Sequence, residues 1–158
     1  MIIILHNIRS THNVGSIFRT ADAAGCEKIY LCGITPAPTD RFGRVNEKIS
    51  KVALGAERWI TWEKVGRTAT VIDKLKKDGY KILAIEQSSL SVPYQKIKLG
   101  KRDFAKTVLV MGNEIKGLPP GVLCRADKIL EIPMRGKKES LNVAVAFGVI
   151  IFNLINKL

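Results

Sequence analysis

Residues 108–119 read VLVMGNEIKGLP, and their pattern sets the fold. Val108, Leu109, Val110 and Met111 follow one another with no polar residue between them. A strand with one wet face alternates apolar with polar residues. A run that is apolar at every position has both faces covered, as in a parallel sheet flanked by helices. Gly112 ends the run, and Asn113, Glu114 and Gly117 follow at once, so a polar loop leaves the strand's carboxyl end. Strands are read at IIIL (2–5), KIYLCG (28–33), a weaker RWITW (58–62), KILAIE (81–86), TVLVMG (107–112, which contains this run) and KILEIPM (128–134), and several of them are near-continuous apolar runs. Helical periodicity lies between them over Asn13–Ala24, around Val45–Leu54, over Thr68–Asp78 and from about Ser140 to Asn156. Thr35–Arg44, Ser88–Arg102 and Arg135–Glu139 read as loops. The alternation predicts an α/β fold: an open, mostly parallel sheet with helices on both faces, in one domain over residues 1–158.

Composition narrows the partners. The 158 residues hold 26 Lys+Arg against 14 Asp+Glu, a net charge of +12. Such an excess favours a polyanionic partner, because neutralising phosphates releases counterions, although a merely soluble basic protein has the same balance. Three cysteines without paired short spacing argue against a disulfide framework or a zinc site, and read as small buried hydrophobes in a reducing compartment. The opening MIIIL is too short for a signal peptide, and Val143–Phe152 is half the length of a membrane span. The expectation is a cytoplasmic protein with no membrane segment and no metal.

The stretch STHNVGSIFRTADAAG (10–25) raises a specific question. Ile17, Phe18, Ala21 and Ala24 make an apolar stripe, Gly25 is a C-terminal stop, and Asn13 is expected to cap the first turn. Arg19 stands in the middle of this helix, either as a solvated charge or as a functional one. The last helix is apolar almost all round, with Leu141, Val145, Gly148, Ile151, Phe152 and Ile155 on one face and Val143, Ala144, Ala146, Phe147 and Ile150 on the others. It needs covering on nearly every side, either within the chain or by a second copy in a homodimer, the reading preferred here.

In an open parallel sheet, ligands sit beyond the carboxyl ends of the strands. Three loops there carry unusual residues: 108–119 with Gly112, Asn113 and Glu114; 131–144, with Ile132 and Met134 on either side of Pro133; and Ser140-Leu141-Asn142 before the last helix. A strand-end turn at Gly112 and an N-cap at Ser140 are the ordinary alternatives. Neither GxGxxG nor GxxxxGK[ST] is present, and His6 and His12 have no nucleophile in suitable context. What remains is an apolar-walled pocket with glycine-exposed backbone, suited to an adenine-bearing cofactor.

Taken together, STHNVGSIFRTADAAG, VLVMGNEIKGLP, DKILEIPM and ESLNVAVAFG resemble the consecutive motifs of the SpoU/TrmH family of RNA ribose 2′-O-methyltransferases, within the SPOUT class. ISKVALGAERWITW (49–62) resembles the family's middle segment, so the likeness runs over nearly the whole chain in the right order. The resemblance implies a C-terminal trefoil knot, a homodimer built on it, and S-adenosyl-L-methionine (AdoMet) bent into it. By motif, Gly112 and Asn113 lie against the cofactor, the backbone around Ile132 and Met134 holds its adenine, Leu141 packs on it, and Ile85 and Glu86 complete the site.

The resemblance also gives Arg19 a role. It matches the first motif's arginine, and Asn13 the motif's asparagine. A cation beside a ribose 2′-hydroxyl stabilises the charge of the developing alkoxide. Some accounts of the family make this arginine a general base; a guanidinium is protonated at ordinary pH, so electrostatic stabilisation is preferred. Asn13, Glu114, Ser140 and Asn142 are expected to orient Arg19, the ribose or its phosphate. Arg41, Phe42, Arg44, Lys51, Arg135 and Lys137 are candidate RNA contacts, basic residues beside one aromatic that suit phosphates and a stacked base. Several relatives carry an N-terminal RNA-binding domain or helical extensions. With neither seen here, recognition is expected from the catalytic dimer, with tRNA favoured over rRNA. The rivals are a non-catalytic RNA-binding protein that retains the fold, a base methyltransferase of a related knotted family, and a dinucleotide enzyme lacking its glycine fingerprint.

Overall fold

The computed structural model describes residues 1–156. Its strands are β1 (Ile2–His6), β2 (Lys28–Cys32), β3 (Thr61–Val65), β4 (Lys81–Ile85), β5 (Val92–Pro93), β6 (Thr107–Met111) and β7 (Lys128–Glu131). The helices are α1 (Thr11–Ala23), α2 (Glu47–Ala53), α3 (Ala56–Trp59), α4 (Thr68–Lys77), α5 (Lys101–Ala105), α6 (Pro120–Leu123) and α7 (Val143–Ile155). The strands pair in the order β3-β2-β1-β6-β4-β7-β5, and every pairing is parallel. All carboxyl ends therefore open on one edge of the sheet.

The central strands β1, β2, β4 and β6 are largely apolar because successive residues enter different cores, whereas the edge strand β3 (TWEKV) is mostly exposed. Ile3, Leu5, Ile29, Leu31, Leu83, Leu109 and Met111 pack with Phe18 of α1 and Phe147, Ile150 and Ile151 of α7. Their neighbours Ile2, Ile4, Tyr30, Cys32, Ile82, Ala84, Val108 and Val110 pack with Val71, Ile72 and Leu75 of α4 and Val122 of α6. Period-two alternation is thus intact, with both faces apolar.

Several local expectations are corrected. Ser10, not Asn13, caps α1: its Oγ accepts the Asn13 amide at 3.2 Å. The last helix begins at Val143 behind Asn142, whose Oδ1 accepts the Ala144 and Val145 amides, so Ser140 is not its cap. The RWITW run divides into the end of α3 and the start of β3; Gly55, at φ 95, restarts the helix, and Trp59 is left 78% exposed. KILEIPM ends as a strand at Glu131, two residues before Pro133, which has no amide hydrogen to continue a ladder. Ser88–Arg102 holds β5, a 3-10 turn at Tyr94–Lys96 and the start of α5. Cys26 and Cys32 are buried as expected, but Cys124 is exposed. Among the described residues no helix is long and apolar enough to cross a membrane.

The last helix is covered on one side only. Val143, Phe147, Ile150, Ile151 and Leu154 are buried, while Val145, Val149 and Phe152 form an exposed stripe continuous with exposed Leu141.

Candidate active site

Three loops leaving neighbouring carboxyl ends, after β4, β6 and β7, meet the N-terminus of α7. They enclose a cavity of about 440 Å³ lined by Ile85, Glu86, Gly112, Asn113, Glu114, Ser140, Leu141 and Asn142, all singled out in the sequence, and by Met111, Ile115, Gly117, Val143 and Ala146. A second cavity of about 290 Å³ shares Ile85, Glu86, Ser140, Leu141 and Ala146 with it and adds Ile132 and Met134. The two are contiguous, and all seven residues expected to bind the cofactor line one or both. Gln87, Leu130, Glu131 and Glu139 were not anticipated there. Gln87 donates its Nε2 to the Glu139 carbonyl at 2.5 Å, fastening the loop after β4 to the approach to α7.

A hydrogen-bonded chain joins two residues that line the larger cavity, Glu114 and Asn142, through Asn13, which is buried beside them and does not itself line it. The Glu114 carboxylate accepts the Arg9 amide at 3.0 Å, the Ser10 amide at 3.1 Å and Asn13 Nδ2 at 3.0 Å. Asn13 Oδ1 in turn accepts Asn142 Nδ2 at 3.0 Å. Glu114, Asn13 and Asn142 thus join the β6 loop, α1 and α7. Burial by itself pushes the Glu114 carboxyl up, but the hydrogen bonds from Arg9, Asn13, its own amide and Ser10 outweigh it and hold the pKa below the usual value.

With the native pKa depressed, the network's stabilisation is full above the ordinary glutamate value of ~4.3 and is lost as pH falls through the lower native value. Glu114→Gln puts an amide where donors converge. We expect it to cost about 1 kcal/mol, roughly 2–4 °C in Tm, and to flatten the acid limb of a Tm-against-pH curve. An unchanged acid limb would contradict this role.

The β6 loop is shaped by its own residues. Asn113 Oδ1 accepts the Ile115 and Lys116 amides at 3.0 and 2.9 Å, and the Gly117 amide returns to the Asn113 carbonyl at 2.9 Å. Gly117 has φ 62, where a Cβ would also run into Glu86 Oε2. That same Oε2 accepts the Leu118 amide at 2.7 Å. Gly112 lines the cavity as expected, yet the atoms that a Cβ there would meet are in its own loop: the Gly117 carbonyl carbon at 2.8 Å, and Leu118 Cγ and amide nitrogen, both at 2.9 Å.

Arg19 is exposed on α1 and lines neither cavity. The next residue, Thr20, faces α7: its methyl would lie 3.8 Å from a Cβ placed on Gly148. Ser140 lines both cavities but lies outside the Glu114–Asn13–Asn142 chain. The six candidate RNA contacts are exposed and fall on three segments: Arg41, Phe42 and Arg44 in the loop after β2, Lys51 on α2, and Arg135 and Lys137 between β7 and α7. Asp40 Oδ1 accepts the Phe42 and Arg44 amides at 2.8 and 2.9 Å and makes the turn. Phe42 is 66% exposed, but its ring carries the Arg41 guanidinium at 4.7 Å and that of Arg44 at 5.3 Å, so a base stacking there competes with an arginine.

The family model described as SpoU rRNA Methylase family matches residues 1–152. The chain belongs to this family. Among similar SpoU-family proteins, a tRNA (guanosine(18)-2'-O)-methyltransferase of Aquifex aeolicus is 34% identical over 96% of this chain and 67% of its own length. A 23S rRNA (guanosine-2'-O-)-methyltransferase of Pseudomonas aeruginosa is 32% identical over 99% of this chain and 59% of its own length. The chain thus spans about three-fifths to two-thirds of these relatives. The crystal structure of the AdoMet-bound rRNA methyltransferase from Sinorhizobium meliloti is similar with a TM-score of 0.84 and 31% identity, over 96% of this chain and 54% of that one. The expected SpoU/TrmH membership and α/β architecture hold.

Proposed function

We propose that this chain is an AdoMet-dependent RNA ribose 2′-O-methyltransferase that acts as a homodimer on tRNA. The observation that carries the reading is the Glu114–Asn13–Asn142 chain, which ties together two residues lining a mixed polar and apolar cavity at the carboxyl ends of a parallel sheet. Family membership supports methyl transfer. Relatives named for tRNA and for rRNA are both similar to this chain, and tRNA is the substrate this reading prefers.

The residues present fit the cofactor. Ile85, Leu141 and Ala146 line both cavities and offer apolar walls to an adenine, and Ile132 and Met134, just beyond the end of β7, line the smaller one. Bound AdoMet would supply an electrophilic methyl group on a sulfonium. Asn13, Glu114 and Asn142 hold the β6 loop, α1 and the start of α7 in one geometry, Ser140 and Asn142 present polar groups to the ribose or its phosphate, and Arg19 stabilises the developing alkoxide. The guanidinium acts by charge and positioning.

Arg19 does not line its own chain's cavities, but it lies beside Thr20, where α1 meets the half-covered α7. A second copy on the Leu141–Val145–Val149–Phe152 stripe covers that apolar face and encloses Arg19 in the interface. The C-terminal knot, carried by the path from β6 through β7 to α7, belongs to this reading, as does a single catalytic domain over residues 1–158 in the cytoplasm. Arg41, Phe42, Arg44, Lys51, Arg135 and Lys137 then hold the RNA, chiefly through phosphates.

The test supplies labelled AdoMet to separated, unmodified tRNA and rRNA pools and measures the oligomeric state by sedimentation. A dimer that transfers label to tRNA is expected. Label on rRNA alone overturns the substrate preference, a monomer overturns the dimer, and RNA binding with neither AdoMet binding nor transfer favours the non-catalytic RNA-binding protein.

A further inference from the structure

A third cavity, of about 480 Å³, lies on the other side of the β6 loop, lined by His6, Asn7, Arg9, Ile34, Lys116 and Pro119. It shares Asn113, Ile115 and Gly117 with the proposed cofactor cavity, so one loop separates the two. From this arrangement we infer that it is a nucleotide subsite, which takes one unstacked nucleotide of the RNA strand that carries the acceptor ribose. The inference rests on the proposed methyltransferase reading.

Ile34 is 65% exposed and Ile115 is 75% exposed. One exposed aliphatic side chain is ordinary; two on the same cavity leave an apolar slot without an occupant from the described chain. Arg9 and Lys116 line the same cavity and are exposed to solvent. An apolar slot with a cationic rim matches a nucleotide, which has flat apolar faces and a phosphodiester charge.

The slot is also held open. Asn7 is left-handed at φ 54, a conformation that asparagine tolerates better than most residues. Its Oδ1 accepts the Ile34 amide at 3.0 Å, and its carbonyl accepts Asn113 Nδ2 at 2.6 Å. A Cβ on Gly33 would run into that Oδ1, so the loop after β2 closes on Asn7 only with glycine there. Asn7 thus pins the loops leaving β1, β2 and β6 together, and a subsite fixed beforehand costs less to occupy.

The test uses the full chain, unmodified tRNA transcripts and three variants: Arg9→Ala, Lys116→Ala and Ile34→Ala. All three side chains are exposed, and none lines a cofactor cavity. RNA affinity is measured against salt, AdoMet affinity by calorimetry, and methyl transfer as kcat and KM. The two charge variants are expected to weaken RNA binding about 3- to 10-fold each and to lower the salt slope by about one apiece. Ile34→Ala is expected to raise KM for RNA several-fold with the salt slope unchanged. AdoMet affinity stays within about twofold in all three. Wild-type RNA affinity and KM in every variant of an active enzyme overturn the subsite and leave the enzyme reading intact. A wild type that binds neither AdoMet nor RNA overturns both. A protein that binds RNA without AdoMet loses the enzyme reading alone, and the RNA-affinity arm still decides the subsite.

Discussion

Arg19→Ala is expected to lower kcat for methyl transfer by about 10²–10³-fold, the range found when one preorganised donor is removed from a developing oxyanion. AdoMet affinity should stay within about twofold, because Arg19 lines neither cofactor cavity. The fold should also survive, since the side chain is exposed and makes no hydrogen bond or ion pair among the described residues. Arg19→Lys separates the two roles open to this residue. A lysine keeps the charge and loses the planar fork, so electrostatic stabilisation predicts an intermediate rate. Loss of AdoMet binding in Arg19→Ala would move the residue into the cofactor site and contradict the arrangement described above.

Gly112→Val is expected to abolish measurable AdoMet binding and to cost about 1–3 kcal/mol of stability, as overpacking does. The reason is internal to the β6 loop. Two of the three atoms that a Cβ would meet are backbone, so a side-chain rotation cannot relieve the clash, and the loop must move away from Gly117 and Leu118. That movement breaks the Glu86–Leu118 hydrogen bond and displaces Asn113 and Ile115 from the cavity wall. Gly121→Ala is the control, since a Cβ there meets nothing within 4 Å. Calorimetric titration with AdoMet and a thermal melt read both effects. Normal AdoMet affinity in Gly112→Val would place the cofactor elsewhere.

The central strands β1, β2, β4 and β6 were legible because they are near-continuous apolar runs, a signal that needs no knowledge of partners, whereas the edge strand β3 (TWEKV) is largely polar and exposed and the two-residue β5 lay within a stretch read as loop. Where reading failed, a non-local contact decided the outcome. Both Ser10 and Asn13 have the chemistry of a cap. Asn13 is drawn instead to Glu114, 101 residues away, and to Asn142, 129 residues away. RWITW has strand composition, but the left-handed Gly55 starts a new helical turn ahead of it and carries Trp59 to the surface. The cofactor residues were found through the family likeness, which marks motif positions. Met111, Val143 and Ala146 were missed because they look like core residues and line the cavity only by their place at an element's end. Asn7 gave one faint signal, an asparagine just past the end of an apolar strand, where a left-handed residue is tolerated.

The central claim is that the methyl group goes to a ribose oxygen. Label transferred from AdoMet to RNA should be digested to nucleotides and, in parallel, hydrolysed with alkali. Alkaline cleavage needs a free 2′-hydroxyl next to the phosphodiester. The account predicts that the label survives alkali in a dinucleotide and stays with the ribose when the base is removed. Label released with a free base, from a linkage that alkali cuts normally, would contradict it.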